Sequence, residues 1–430
     1  MIIHIVRPGE SLQNISKQYD VSLEHIIYTN EIHDPSLIIP GQSIVIPGTT
    51  KNHIVQPGQN IYLIAQQYGT TIAAITESNN LQNPAFIYPG QKLVIPVQSK
   101  SNNLNTIEVN AYIESRGRDY EVNIVKKVAP SLTYLSIFGY EINADGTLSM
   151  INDTQLIHTA RQKKVAPLMV ITNFSNGMFH PQLAHDILIN DDIQNILINN
   201  IISILKNKQY YGVNVDFEKI FPEDSVLYHQ FLKKFKARLN SNGFILSTAL
   251  TPKHLTEMTN KRHITSDYPV HNSIADFSML MNYIWGYAAS PPMPVLPLHQ
   301  LKNLLYYTLP MISVSKIMMG IALYGYDWTL PYIDGEQHAD TISPNAAIEL
   351  AQKYKTVIHY DNVSQAPYFN YLDEAGREHI VWFDDARSIK AKFELVKHLK
   401  LLGISYWILG RSFPQNWLIL NDLFKIKKLE

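Results

Sequence analysis

Eight short apolar segments alternate with amphipathic helical stretches in the part of the chain that follows residue 106. Most of them are continuously apolar, which is typical of parallel strands buried on both faces. Eight successive strand–helix units predict an α/β fold, a (β/α)8 barrel of the TIM type. A doubly wound sheet is the alternative and would show fewer strands at longer spacing. The candidate strands are Ile107–Tyr112, Tyr134–Tyr140, Ala166–Thr172, Gly212–Glu218, Phe244–Leu250, Phe277–Tyr283, Lys316–Leu323 and Gly403–Trp407.

The interval between Leu323 and Gly403 is too long for a single strand–helix unit. It contains one helical stretch, Pro344–Tyr354, and three strand-like pieces. We therefore predict a small α+β insertion at about residues 326–386, placed over the barrel mouth, where it helps to wall a substrate groove. The three strand-like pieces are Val357–Tyr360, Tyr368–Tyr371 and Glu378–Phe383.

An internal repeat occupies the N-terminal part of the chain. The two copies align without a gap, and each matching residue recurs 49 positions later. Each copy has the pattern of a strand, a Pro-Gly turn, two short helices and a return strand. The matched pairs include His4 and His53, Tyr19 and Tyr68, Asn30 and Asn79, and Pro40 and Pro89.

Both copies resemble the LysM domain, a small βααβ module that binds glycans containing N-acetylglucosamine. The resemblance implies LysM domains at residues 1–48 and 50–97. The short polar stretch at 98–105 predicts a linker, and the strand–helix units that follow place the barrel at 106–430. It also implies a glycan groove between the first strand–helix loop and the loop before the last strand. The implied contacts are Gly9, Glu10, Ser11, Leu12 and Pro35 to Ile38 in the first copy, and Gly58, Gln59, Asn60, Ile61 and Pro84 to Ile87 in the second.

Two acids end the fourth candidate strand. Alternate side chains of a strand share a face, so Asn214, Asp216 and Glu218 lie on one side. Two carboxylates this close repel each other, which raises the pKa of one and sets up an acid/base pair. An edge strand with a solvated polar face is the alternative for the isolated segment. In a barrel, however, active sites form at the carboxyl ends of strands, and Glu218 falls at that end.

The segment Gly212-Val-Asn-Val-Asp-Phe-Glu218 resembles the signature of family 18 glycoside hydrolases. The resemblance implies retaining, substrate-assisted cleavage of β-linked N-acetylglucosamine polymers. Glu218 is then the general acid and base, and Asp216 orients the 2-acetamido group of the substrate. Tyr283, in a Met281-Asn-Tyr segment that resembles the sixth-strand motif of the family, is expected to donate a hydrogen bond to the acetamido carbonyl.

Further substrate contacts are expected at or near the ends of other strands, and Trp407, after the last strand, is expected to stack on a sugar ring. The chain departs from the family pattern where Tyr211 and Asn214 replace acids and where Ile284 follows Tyr283. Since Asn214 removes a charge, Asp216 should ionise more easily. The candidate substrate-binding residues are Trp407, Asn214, Tyr112, Asn173, Met281, Tyr324 and Trp328.

Composition excludes several classes of function. The formal net charge of -1 provides no basic surface for nucleic acid. The chain has no cysteine, which rules out disulfides and thiolate metal sites. We expect no metal and no cofactor. The chain contains no run of about 18 apolar residues, so we expect no membrane span. The N-terminus lacks a basic stretch followed by an apolar core, so we expect no signal peptide.

Two LysM-like units before a family 18-like barrel resemble the spore cortex-lytic N-acetylglucosaminidases of endospore formers. The resemblance implies hydrolysis of cortex peptidoglycan during germination, with the LysM units binding the polymer. It also implies a location at the boundary of spore coat and cortex, with spore coat proteins as further candidate partners. The alternatives are a non-catalytic peptidoglycan-binding or coat protein, and a chitinase. Retention of the acid Glu218 favours an enzyme.

Overall fold

The structure, a computed structural model, describes residues 1–48, 50–68, 70–79, 81–96, 104–252 and 267–429. Most of the predicted linker at 98–105 lies outside the described residues. Two N-terminal modules precede a barrel that carries an insertion. The first module consists of β1 (Ile2–Ile5), α1 (Leu12–Tyr19), α2 (Leu23–Asn30) and β2 (Ser43–Ile46). The second consists of β3 (Thr50–Ile54), α3 (Ile61–Tyr68), α4 (Ile72–Ser78) and β4 (Lys92–Pro96).

Both modules have the predicted βααβ order, with the two strands of each paired antiparallel. The same asparagine closes both copies. The amide of Asn30 donates to the Val45 carbonyl and accepts from the Val45 N–H, both at 2.8 Å. Asn79 makes the same two bonds with Val94 at the same distances. The repeated asparagine therefore ties the second helix to the return strand in each module.

Eight parallel strands close into a barrel, which confirms the predicted (β/α)8 fold and excludes the open doubly wound sheet. Each strand pairs with its neighbour, and the last strand pairs with the first through Gly403–Tyr406 and Glu108–Ala111. The barrel strands are β5 (Asn105–Glu114), β6 (Tyr134–Glu141), β7 (Ala166–Thr172), β10 (Gly212–Asp216), β11 (Ile245–Leu250), β12 (Phe277–Leu280), β13 (Ile317–Ala322) and β19 (Gly403–Trp407). Two short strands, β8 (Phe174–Ser175) and β9 (Met178–Phe179), form a hairpin after β7, and β20 (Phe424–Ile426) pairs with the start of β5.

Helices surround the barrel and bury the outward faces of its strands. On β10 the outward residues are Val213 and Val215, followed by Phe217, and all three are buried in the main core. Phe217 stacks on Phe231 with ring centroids 6.2 Å apart. This apolar packing anchors the outer face, so the opposite face of β10 points into the barrel. The described barrel helices are α5 (Asp119–Val128), α6 (Thr154–Gln162), α7 (Pro181–Leu188), α8 (Asp191–Lys208), α9 (Ser225–Asn240), α10 (Tyr268–Ile274), α11 (Leu298–Thr308), α13 (Ala386–Leu399) and α14 (Pro414–Leu423).

The insertion is an antiparallel five-stranded sheet with one helix, so it contains two more strands than the sequence predicted. Its elements are β14 (Gly325–Thr329), β15 (Asp340–Ile342), α12 (Pro344–Lys353), β16 (His359–Asp361), β17 (Ala366–Leu372) and β18 (Glu378–Trp382). The strand β14 starts three residues after β13 ends, and the apolar pattern does not reveal the break. Glycine is required at 325 because a Cβ there would lie 2.2 Å from the Trp382 carbonyl oxygen of the paired strand.

Candidate active site

The two acids of β10 lie at the mouth of the barrel. The strand ends at Asp216, and Glu218 follows two residues later, before the left-handed residue Lys219 at φ 56°. Asp216 is 4% exposed, whereas Glu218 is partly exposed. Because all eight strands run in the same direction, their carboxyl ends meet at this mouth. The structure therefore places both acids where the barrel fold forms its active sites.

Uncharged polar side chains inside the barrel form the layer directly below Asp216. The Tyr112 hydroxyl donates to Asn214 Oδ1 at 2.8 Å, and Asn214 Nδ2 donates to the Ser247 hydroxyl at 3.0 Å. Tyr112 is 3% exposed and Asn214 is fully buried. These two predicted substrate contacts thus turn their polar groups toward each other inside the barrel, and this arrangement supports the strand that carries Asp216.

Asn173, another predicted substrate contact, is fully buried next to the backbone of the acid. Its Oδ1 accepts from the Glu218 N–H at 2.9 Å, and its Nδ2 donates to the Glu218 carbonyl at 2.9 Å. The same Nδ2 also donates to the His180 carbonyl at 3.1 Å. The side chain of Asn173 is therefore committed to the backbone, where it fixes the position of Glu218.

Burial raises the pKa of both acids. For Glu218 burial is the largest cause, and repulsion by Asp216 raises the pKa further. Burial also raises the pKa of Asp216. The sequence predicted repulsion as the cause, but the structure makes loss of hydration the larger one. Among the described residues, Asp216 Oδ1 is buried without a hydrogen-bond partner. A raised pKa on Glu218 suits a general acid, and the unpaired oxygen of Asp216 suits an acceptor for a substrate N–H.

Tyr283 follows β12 and lies close to the acids. Its ring packs against Gly320, where a Cβ would come within 2.7 Å of the tyrosine Cε1. Asn282 holds Gly320 in place by accepting from its N–H at 2.7 Å and donating to its carbonyl at 3.0 Å. Burial, then neighbouring tyrosines and the charges of Asp216 and Glu218, raise the pKa of Tyr283. The hydroxyl therefore keeps its proton and is available as a donor.

Trp407 ends the last barrel strand and is half-buried. Its ring meets Tyr112 edge-on at a centroid distance of 5.2 Å and Phe138 at 5.4 Å. These contacts hold the indole in one orientation, as a stacking floor for a sugar ring requires. Phe138 was not among the residues predicted from the sequence, although its position near the end of the second barrel strand was a usable signal.

The remaining predicted contacts lie toward the insertion. Tyr324 is partly exposed, and the Arg411 guanidinium lies 5.6 Å from its ring centroid. Arg411 was also missed, because nothing in its local pattern separates it from a surface arginine. Trp328 is 1% exposed and donates from Nε1 to the Ser290 carbonyl at 2.8 Å, and it is buried in an apolar cluster that includes Ala322 of β13 and Tyr326 of β14. Met281 is partly exposed beside Tyr283.

In the modules, the predicted glycan contacts fall into two groups. Glu10 accepts from the Arg7 N–H at 2.7 Å and contacts His4 Nε2 at 2.9 Å, and the backbone bond lowers its pKa. Gln59 has the same two kinds of partner, in Gln56 and His53, and Leu12 and Ile61 are buried in their module cores. These four side chains therefore stabilise their own modules: Glu10 and Gln59 bond within the first loop, and Leu12 and Ile61 pack in the core. The exposed or partly exposed predicted contacts are Gly9, Ser11, Pro35, Ile38, Gly58, Asn60, Pro84 and Ile87.

Within the described ranges, no three His, Asp or Glu side chains are grouped as a metal site would require. Among the same residues, none of the helices combines the length and the apolar character needed to cross a bilayer.

Residues 108–411 match the family described as Glycosyl hydrolases family 18, and residues 4–47 and 53–96 each match the LysM domain. A Cortical fragment-lytic enzyme from Bacillus subtilis (strain 168) is 45% identical over 100% of this chain and 99% of that protein. The crystal structure of the Bacillus megaterium QM B1551 spore cortex-lytic enzyme SleL has a TM-score of 0.84 and 39% identity, covering 100% of this chain and 99% of that one. The Bacillus cereus spore cortex-lytic enzyme SleL has a TM-score of 0.82 and 37% identity, with 100% of both chains covered.

Proposed function

This chain belongs to glycosyl hydrolase family 18 and carries two LysM domains, and we propose that it hydrolyses the β-1,4 bond after N-acetylglucosamine in spore cortex peptidoglycan. The observation that carries the proposal is the pair of acids at the mouth of the barrel, a buried Asp216 and a partly exposed Glu218, both with a raised pKa. The names of the full-length relatives, cortical fragment-lytic and spore cortex-lytic enzymes, support the choice of polymer.

In the first step, protonated Glu218 donates its proton to the glycosidic oxygen. The bond between that oxygen and the anomeric carbon breaks, and the leaving sugar departs as an alcohol. The acetamido oxygen of the same N-acetylglucosamine attacks the anomeric carbon and forms a cyclic oxazolinium ion. Asp216 Oδ1, which lacks a partner among the described residues, accepts the acetamido N–H and balances the positive charge.

In the second step, the Glu218 carboxylate removes a proton from a water molecule. The water oxygen bonds to the anomeric carbon, and the bond to the acetamido oxygen breaks. Two inversions at the same carbon retain its configuration. The elevated pKa of Glu218 serves both steps, because the group gains and loses a proton near neutral pH.

Tyr283 and Trp407 position the reacting sugar in this scheme. The Tyr283 hydroxyl, whose pKa is raised, donates to the acetamido carbonyl and directs its oxygen toward the anomeric carbon. The indole of Trp407, oriented by Tyr112 and Phe138, stacks on the apolar face of the ring. The substrate is then held between an aromatic floor and the two acids.

The LysM domains supply binding to the insoluble polymer. Tethering the barrel to its substrate raises the local substrate concentration without a new contact in the active site. We assign the domains to residues 1–48, 50–97 and 106–430, and the family matches at 4–47, 53–96 and 108–411 support this division. We also propose a location at the boundary of spore coat and cortex, with coat proteins as partners; the names of the spore cortex-lytic relatives support a location in the spore.

The function is tested with Glu218→Gln, assayed for muropeptides that carry reducing N-acetylglucosamine ends. We expect a loss of at least about 10²-fold, the lower range for removal of a general acid. The control is Glu394→Gln on α13, whose side chain is 56% exposed, and it should retain wild-type activity. Equal product from wild type and Glu218→Gln would refute the assignment. Release of reducing ends from chitin but not from cortex would refute the proposed substrate.

A further inference from the structure

The two LysM domains differ in how much of one equivalent face is buried. Ile39 in the first domain is 7% exposed, whereas its counterpart 49 positions later, Tyr88, is 65% exposed. Ser43 is buried, and its counterpart Lys92 is exposed. Because the domains share one fold and one internal asparagine clamp, the difference comes from what covers the first domain.

The insertion covers part of this face. Ile39 belongs to the apolar core of the insertion, together with Ala347 and Ile358. The Ile358 N–H donates to the Pro40 carbonyl at 3.0 Å. At Gly41, an added Cβ would lie 1.8 Å from the Ile358 carbonyl oxygen. The first domain therefore packs on the insertion through side chains and backbone together.

A buried glutamine from the barrel contacts the same face. Gln415 is 4% exposed, and its Nε2 donates to Asn30 Oδ1 at 3.1 Å and to the Ser43 carbonyl at 2.8 Å. Its Oε1 accepts from the Ala386 N–H at 3.2 Å. A buried amide with partners on both sides of a contact is costly to separate, since each group would need another partner.

Arg387 makes a further contact with the first domain, and neighbouring side chains fix its orientation. Its guanidinium donates to the Gly41 carbonyl at 3.0 Å and pairs with Asp385 at 2.6 Å. The Tyr360 ring lies under it, 4.2 Å from the guanidinium carbon. Because Asp385 and Tyr360 orient the arginine before it meets Gly41, this contact requires little further ordering.

The docked face is separate from the predicted glycan groove. In the first domain Gly9, Ser11 and Pro35 remain exposed. The docking residues Arg387 and Gln415 lie in the first turns of α13 and α14. In a βα barrel the helices begin at the end where the strands finish, so these residues lie at the end that carries the active site.

We propose that the first LysM domain is a fixed part of the catalytic unit, which holds its glycan groove at one position relative to the barrel mouth, while the second domain binds polymer without that constraint. The inference rests on the proposed function of the domains as glycan binders. A preoriented groove binds and presents a polymer strand to the barrel without the ordering cost that a free tether carries.

Two matched glycines test the proposal in the full-length chain. Gly41 and Gly90 both have φ 86°, so replacement by alanine strains both backbones equally. At Gly90 an added Cβ meets nothing within 4 Å, whereas at Gly41 it meets Ile358. Gly41→Ala should therefore undock the first domain, and Gly90→Ala should not. Gln415→Ala, which leaves the first domain unchanged in sequence, should undock it as well.

Hydrogen exchange and two rates measure the outcome. In Gly41→Ala and Gln415→Ala, the Ile358 amide should exchange at least about tenfold faster, because its partner on the first domain is lost. Cleavage of soluble oligosaccharides should stay within about twofold of wild type, whereas the rate on insoluble cortex should fall about fivefold or more. Gly90→Ala should match wild type in Ile358 exchange and keep its cortex rate within about twofold.

Two results would overturn the proposal. Unchanged exchange at Ile358 in both undocking variants would show that the domain is not held by this face. Faster exchange with an unchanged cortex rate would show that docking does not matter for the polymer. A wild-type chain that cleaves neither substrate would instead contradict the proposed function, and the exchange comparison would still decide whether the domain is docked.

Discussion

Asn173 holds the backbone of Glu218 on both sides of the residue, accepting from its N–H and donating to its carbonyl, each at 2.9 Å. The two residues are 45 positions apart and lie just beyond the carboxyl ends of the neighbouring strands β7 and β10. The bonds leave the Glu218 carboxyl group unconstrained while its main chain is fixed. Asn173 thus acts on the proposed chemistry through Glu218 and not through the substrate.

We predict that Asn173→Ala lowers kcat by about 10-fold or more and leaves KM within about twofold, since the two bonds to the Glu218 backbone, worth ~1 kcal/mol each, are lost together with the bond to the His180 carbonyl. Hydrogen exchange should show a faster Glu218 amide, which a purely global loss of stability would not single out. Asn207→Ala on the exposed end of α8 is the control and should change neither quantity. A rise in KM with an unchanged kcat would show that Asn173 contacts the substrate, and it would contradict the positioning role.

The raised pKa values of Asp216 and Glu218 should make the folded state less stable at high pH. Because burial raises the pKa of Asp216 and Glu218, the folded state binds protons more tightly than the unfolded state. The sign is therefore opposite to that of a salt-bridged carboxylate. The advantage of the protonated folded state is complete below the ordinary carboxyl pKa near 4 and is lost as pH rises through the raised folded values.

Glu218→Gln removes one of these charges, so its melting temperature should exceed that of wild type at pH 9 by several degrees. At pH 5 the difference should be smaller. Differential scanning fluorimetry at both pH values measures this, with Glu394→Gln as the exposed control. A gap that widens toward acid pH would contradict the assigned direction of the pKa shifts.

Asn214→Asp should raise the pKa of Asp216 further. The new carboxylate would lie two residues below Asp216 on the same face of β10, in a layer where Asn214 is fully buried. Repulsion between two buried carboxylates favours the protonated forms. The acid limb of the kcat profile should therefore move to higher pH by about one unit. Asn214→Ser, which adds no charge, should leave that limb in place.

The second LysM domain can be disabled without touching the barrel. Asn79→Ala removes the hydrogen bonds to Val94 that close the domain. We expect co-sedimentation with insoluble cortex to fall about tenfold, whereas cleavage of soluble oligosaccharides stays unchanged. Gln66→Ala on the exposed side of α3 is the control. Unchanged co-sedimentation of Asn79→Ala would refute a binding role for this domain.

Much of the fold could be predicted because it depends on patterns that neighbouring residues carry. The apolar runs at Ala166–Thr172 and Gly403–Trp407 matched the observed strands residue for residue. The alternation along β10 correctly separated the outward Val213 and Val215 from the inward Asn214 and Asp216. Strand β14 was missed, since an apolar pattern cannot show where one strand bends into another sheet.

The amino-acid sequence by itself specified the barrel, the repeated βααβ domains and the order of the acid pair, because periodicity and turn residues act over a few positions. The tertiary structure alone determined that Asn173 reaches the backbone of Glu218, and that burial exceeds repulsion in raising the pKa of that acid. It also determined that Ile39 is covered while Tyr88 is exposed. Such outcomes depend on which distant groups come within a few ångströms and exclude water, and the local pattern of the chain does not contain that information.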